Sequence, residues 1–231
     1  MGEPADNTRT DELIIRIGRG ASGDSAGPTG KRAAIVQAAT GLFLRQGYQG
    51  TSTDQIAAVA AVSKQTVYNQ FRDKKTLFAE IILGVTATAE RFAAELPNEI
   101  TGVRAADDVE PALRSLAHRY LSTVLNPQVL ALRRLIIGEA SRFPELASEY
   151  HRRAPARVLA ALADVFSRLA DRGLLTGDPS DAAEDFAFLV LGPALDHGMF
   201  HVDDDPMPEP AVRRAADRAV AVFLAGYRRP S

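Results

Sequence analysis

Between Ser63 and Phe71 lie six hydrogen-bonding side chains: Lys64, a donor only, and Gln65, Thr66, Tyr68, Asn69 and Gln70, which both donate and accept. Their chemistry is recognition rather than bond making. The amide of Gln65 can pair with adenine N6 and N7, Lys64 can meet guanine or a phosphate, and Thr66 can touch a thymine methyl or a phosphate. An exposed helix with Lys, Gln and Thr in its first turn and Tyr one turn on suits entry into a DNA major groove. Nothing comparable for catalysis is present. The chain has no glycine-rich phosphate loop and no nucleophile elbow, so it is not expected to be an enzyme. His197 and His201 share a helical face, and Asp203, Asp204 and Asp205 follow them. That set is read as a solvated helix end, with no metal and no cofactor.

Three short helices must position the polar cluster. Ser52 and Gln55 have capping-box spacing, in which each side chain satisfies a free amide at the helix start. Ile56, Val59 and Ala60 give that helix an apolar face. Ser63 is an N-cap for the next helix, whose Val67 and Phe71 lie four apart and hide one stripe. Upstream, Lys31 to Gln46 reads as a helix with Ile35, Ala38, Ala39, Leu42 and Phe43 inward, and Gly47 as its C-cap.

Charge separates this module from the rest. The chain has 231 residues and a net charge of −2. Residues 29–78 hold seven basic side chains (Lys31, Arg32, Arg45, Lys64, Arg72, Lys74, Lys75) against Asp54 and Asp73. A basic module on an acidic body predicts an electrostatic DNA footprint on one part only. Cysteine is absent, which excludes disulfides and thiolate metal sites. No apolar run approaches the roughly 20 residues that span a bilayer. The N-terminus lacks the apolar core of a secretory signal. A cytoplasmic protein with no membrane association is expected.

The fold class is all-α with about nine helices. Residues 1–28 read as a disordered Gly/Ser-rich leader, 29–78 as a helix-turn-helix domain, and 79–231 as a helical regulatory and dimerisation domain. Helical patterns run from Asp73 to Leu96, where Pro97 is expected to stop the helix. They continue over Asp107–Leu125, Gln128–Arg142, Glu145–Arg172, Ser180–Phe200 and Glu209–Tyr227.

The run from Gly47 to Phe78 resembles the DNA-binding domain of the TetR family of bacterial regulators. The matching residues are Gly47, Ser52-Thr53, Ile56-Ala57, Ala60-Ala61-Val62-Ser63, Thr66-Val67-Tyr68, Phe71 and Lys74. Ala61 departs from the pattern, which usually has glycine in the turn. The stretch from Leu132 to Ala140 and on through Phe143-Pro144-Glu145-Leu146 resembles the regulatory domain of AefR-like members.

The resemblance implies a homodimer reading a palindromic operator on double-stranded DNA, a repressor released by a small apolar or amphipathic effector, and association with the nucleoid when bound. It implies DNA contacts from Ser52, Thr53, Lys64, Gln65, Thr66, Tyr68, Gln70 and Lys74, with Tyr68 and Lys74 on the phosphate backbone. It also implies a cavity in the regulatory body, for which Phe92, Leu116, Tyr120, Leu135, Phe166 and Phe188 are candidate walls. The last two helices are the expected dimer interface, through Phe186, Leu189, Val190 and Pro193 and the stripe Val212, Ala216, Ala219, Val220, Phe223 and Tyr227. The competing reading keeps the fold as a DNA-bound architectural or cell-division protein with no ligand pocket.

Overall fold

The computed structural model describes residues 28–201 and 206–229. All but the last residue of the expected leader, and the Asp203–Asp205 run, lie outside them. The described residues form eleven helices. These are α1 (Pro28–Gly50), α2 (Thr53–Val59), α3 (Lys64–Gln70), α4 (Lys74–Gly84), α5 (Thr86–Glu99), α6 (Ala106–Val124), α7 (Pro127–Gly138), α8 (Pro144–Arg153), α9 (Pro155–Asp171), α10 (Pro179–Phe200) and α11 (Glu209–Tyr227). Among the described residues the only strand-like pairing is one isolated bridge, Leu175 with Arg228. None of the described helices is long and apolar enough to cross a membrane.

Two expected helices are each interrupted once, which accounts for the larger number of segments. The pattern from Asp73 to Leu96 is broken at Val85, where Gly84 and the β-branched Val85 and Thr86 weaken the ladder. Pro97 does not stop α5, which runs on to Glu99. Proline lacks the amide for its own helical bond and crowds the carbonyl four residues back, but the amides after it remain free to donate, and the helix extends two residues beyond it before the chain leaves. The pattern from Glu145 to Arg172 is broken at Ala154 (φ −112°, ψ −84°). Pro155 forces that break, because the residue before a proline is pushed out of the helical region. The helix expected over Gln128–Arg142 ends early, at Gly138. Residues 139–143 are thereby released as a turn closed by Phe143 N–H on Glu139 O (2.9 Å).

The chain divides into two compact units that interleave in sequence. One holds residues up to Gly84 together with Ala131–Leu146; the other holds Val85–Leu130 and Ala147 onward. In the first unit α1 packs on α2, α3 and α4. Its core contains Ile35, Leu42, Phe43, Ile56, Val67, Phe71, Leu77, Phe78 and Ile82, all buried. Phe43, Tyr48, Phe78 and Phe143 form an aromatic cluster with centroid spacings of 4.7–5.9 Å.

In the second unit α9 packs on α5 and α10, and α11 on α6 and α10. Phe166, Phe186 and Phe223 meet at its centre, 5.2–5.4 Å apart. Asp108 begins α6 by accepting the amides of Arg104 (2.8 Å) and Ala105 (2.9 Å), and these bonds hold its carboxyl below the usual range.

The turn between α2 and α3 carries the one strained backbone position found among the described non-glycine residues. Ala61 has φ +52°, in the left-handed region that glycine occupies without a steric penalty. The departure from the family pattern therefore falls where glycine is physically favoured. Ala61→Gly should stabilise the protein by up to about 1 kcal/mol, relief of strain exceeding the added entropy of the unfolded chain. Thermal unfolding should show a Tm higher by a few degrees.

Candidate nucleic-acid interface

Local hydrogen bonding builds the helix-turn-helix. Ser52 adopts an extended backbone, its Oγ accepts the Gln55 amide (3.2 Å), and Gln55 Oε1 accepts the Ser52 amide (2.8 Å). This is the capping box expected from the spacing. The helix ends at Ala60, and Val62 N–H returns to Ala57 O (3.0 Å). Ser63 then caps α3, its Oγ accepting the Thr66 amide at 3.0 Å. Val67 and Phe71 are buried, which turns the opposite face of α3 outward.

That outward face carries the expected recognition residues. Lys64, Gln65 and Asn69 are exposed, and Tyr68 is 43% exposed. Gln65 Nε2 donates to Asn69 Oδ1 (2.9 Å), one turn along the same face. Lys64 Nζ meets Asp54 at 2.9 Å, and the hydrogen bond to that carboxylate raises the Lys64 pKa. Both groups face solvent, so the pair is readily exchanged for a stronger anion. Thr66 and Gln70 are half-buried, and Thr66 Oγ1 shares a 2.8 Å hydrogen bond with Ser63 Oγ. Thr53 is half-buried at the start of α2.

Lys74 sits differently from the rest. Its Nζ donates to Tyr48 O (2.9 Å) and Thr51 O (2.7 Å), and lies 4.2 Å from the centroid of the Tyr48 ring. Burial lowers its pKa, with the nearby Arg142 acting in the same direction. Two of its three donors are committed to the chain's own backbone. Arg32 is likewise turned to its own unit, with its guanidinium on Glu80 (2.5 and 2.6 Å) and over the Phe71 ring.

The turn that Lys74 grips links α1 to α2. Gly47 has φ +68°, which breaks the helix there as its C-cap reading requires. Thr51 Oγ1 donates to Gly47 O (2.9 Å), and Tyr48 N–H donates to Glu139 Oε1 (3.2 Å). Arg142 donates to Glu139 Oε2 (3.1 Å) and, with the Gln49 amide turned to present its oxygen, to Gln49 at 2.8 Å. Sequence reasoning missed Asp54 and Glu139. Asp54 stands ten residues before its partner, and Glu139 lies 91 residues beyond Tyr48, so no local spacing marks either.

The candidate cavity residues do not form one set. Phe92 stacks on Tyr120 (5.1 Å, 19°), and both are buried with Leu116 and Phe166 in the core of the second unit. Leu135 belongs to the other unit and is half-buried. Phe188 is 73% exposed and is not a wall of that core. Its neighbours Phe186, Ala187, Val190 and Leu191 take the buried face of α10, and Phe188 falls opposite them.

The expected interface stripe also changes meaning. Val212, Ala216, Ala219, Val220, Phe223, Phe186 and Val190 are packed inside their own chain. Tyr227 is half-buried, stacked on Phe223 and bonded to Asp185 (2.7 Å), a bond that pushes its pKa up to about 12. Among the apolar residues that the last two helices leave outward are Phe188, Leu189, Pro193, Phe200 and Val222. The His197 and His201 rings stack 4.0 Å apart. Among the described residues no three metal-ligating side chains gather.

Two family profiles match the chain. Residues 35–81 match the bacterial regulatory proteins of the tetR family, and residues 111–229 match the C-terminal domain of AefR-like transcriptional repressors. A crystal structure of a TetR-family protein from Mesorhizobium loti MAFF303099 is 35% identical, with a TM-score of 0.76, over 87% of this chain and 98% of that one. The flavonoid-responsive regulator FrrA is 30% identical, with a TM-score of 0.65, over 87% and 98%. The uncharacterized HTH-type transcriptional regulator YvkB of Bacillus subtilis is 22% identical over 86% of this chain and 97% of its own length.

The carbonyls held by Lys74 make its loss a stability defect in the absence of any ligand. Lys74→Ala should destabilise the free protein by about 1–2 kcal/mol, because two carbonyls lose a charged donor. Thermal or denaturant unfolding without DNA measures it; an unchanged Tm would refute the role.

Proposed function

Because the chain belongs to the TetR family of DNA-binding bacterial transcriptional regulators, we propose that it is a repressor that binds a palindromic operator as a homodimer and is released by a small apolar or amphipathic effector. The observation that carries this reading is α3. Its capped first turn presents Lys64 and Gln65 outward, with Tyr68 and Asn69 one turn on, while Val67 and Phe71 anchor the opposite side. Gln65 is assigned to a base edge, and Lys64 to guanine or phosphate once it leaves Asp54. Tyr68, Ser52 and Thr53 are assigned to the phosphate backbone, with Thr66 and Gln70 at the margin of the footprint. Lys74 keeps one donor beyond its two carbonyls for a phosphate.

One such module reads few bases. Two modules spaced about one helical turn apart, roughly 34–36 Å, give useful specificity. Outward apolar residues of α10 and α11, among them Phe188, Leu189, Pro193 and Val222, support a dimer through those helices. The effector reading rests on the aromatic interior around Phe92 and Tyr120 and on likeness to a flavonoid-responsive regulator. The AefR-like repressor profile supports repression over activation. An effector that favours a dimer geometry out of register with the two half-sites would lower DNA affinity.

Selection of bound fragments from a genomic pool should return a palindrome. Gln65→Ala should relax preference at one base pair per half-site, by about 1–3 kcal/mol of discrimination. Recovery of unrelated sequences would refute the reading. Phe188→Glu should shift sedimentation from dimer toward monomer and weaken operator binding; a dimer unchanged at micromolar concentration would place the interface elsewhere.

A further inference from the structure

Residues 131–146 belong to the same compact unit as the helix-turn-helix, although about 50 residues separate them from α4 in sequence. Within this stretch, Gly138 ends α7, and Glu139 to Phe143 make the turn before α8. The Phe143 ring meets Tyr48 edge-on at 4.7 Å and Phe78 at 5.3 Å. Glu139 Oε1 accepts the Tyr48 amide, and Oε2 is held by Arg142.

The partner that Glu139 serves is specific. At Gly47 a positive φ kinks α1 within its last turn, so the next amide, that of Tyr48, loses its place in the helical ladder. The amide is part-buried, leaving it without a partner is costly, and Glu139 is its acceptor. The approach is close: a Cβ on Gly47 would stand 3.6 Å from the same Oε1. Four residues further on, Ser52 caps α2. The Tyr48 and Thr51 carbonyls are taken by Lys74, so Glu139 and Lys74 hold this turn by its donor and its acceptors.

We propose that Glu139 is a positioning residue for DNA binding: its acceptance of the Tyr48 amide holds the 47–51 turn in the conformation that presents the helix-turn-helix to DNA. The stretch bearing it is tied at both ends to the other unit. α7 begins there and ends beside Glu139, and α8 begins beside Phe143 and returns. A displacement of either helix therefore pulls on the bond to Tyr48, and DNA affinity depends on where α7 and α8 place Glu139. This rests on the DNA-binding reading above and assigns it a control point outside the DNA-contacting residues.

The experiment uses the full chain and the DNA returned by genomic selection. Glu139→Ala should weaken binding about tenfold, the scale of one charge-assisted hydrogen bond. Glu139→Gln keeps an acceptor oxygen and should remain within about twofold of wild type. In the free protein, hydrogen exchange at the Tyr48 amide should accelerate in Glu139→Ala while amides in the core of the same unit stay protected, and should stay protected in Glu139→Gln; a general loss of stability would instead accelerate exchange throughout the unit. If Glu139→Ala does not fold, Glu139→Asp, which retains charge but shortens reach, should show an intermediate loss of affinity.

Wild-type affinity in Glu139→Ala or Glu139→Asp, or equal loss in Glu139→Ala and Glu139→Gln, overturns the proposal. A wild-type chain that selects no DNA overturns the functional reading first and this one with it.

Discussion

A kink at Gly47 near the end of α1 takes peptide groups between Gly47 and Thr51 out of the helical ladder, and the DNA-binding unit is organised around satisfying them. The Thr51 hydroxyl takes the Gly47 carbonyl, the Lys74 ammonium takes those of Tyr48 and Thr51, and the Glu139 carboxylate takes the Tyr48 amide. Opposite charges thus occupy the acceptor and donor sides of one turn. The Tyr48 ring lies under Lys74 and between Phe43, Phe78 and Phe143, so polar satisfaction and aromatic packing fix the same residue. With the turn held, Ser52 is placed to cap α2, and the tight connection through Ala61 sets α3.

This arrangement gives the basic residues of the module unequal duties. Lys64 is exposed and paired only with a solvated carboxylate, an interaction weak enough to yield to DNA. Lys74 and Arg32 are engaged with their own unit. A count of positive charge over residues 29–78 treats these side chains alike, whereas the structure separates those aimed outward from those that brace the turn and helix packing.

The three-helix module was legible from residues because its determinants are local. Capping boxes, N-caps and i,i+4 apolar pairs act over one turn, so Ser52, Gln55, Ser63, Val67 and Phe71 mark their own places. Elsewhere local reading lost detail. Periodicity ran through Val85 and Ala154 because a hydrophobic pattern persists across a break in the hydrogen-bond ladder, although Pro155 carried a signal for the second. On α11 one apolar stripe serves equally as a dimer interface or as core, and only packing against α6 and α10 assigned it inward. Phe188 shows the converse: an aromatic residue in an apolar run, one position off the buried face and mostly exposed.

By itself the sequence determined the all-α class, the capped helix-turn-helix and the polar face that α3 offers, since each follows from interactions within a few residues. Tertiary structure alone decided which of two identical-looking roles a side chain plays. It set Lys74 on carbonyls and Lys64 outward, and it joined Glu139 to Tyr48 across 91 residues. The reason is physical: which unpaired backbone group a distant charge will satisfy depends on how the chain returns, and spacing along the sequence carries no record of that path.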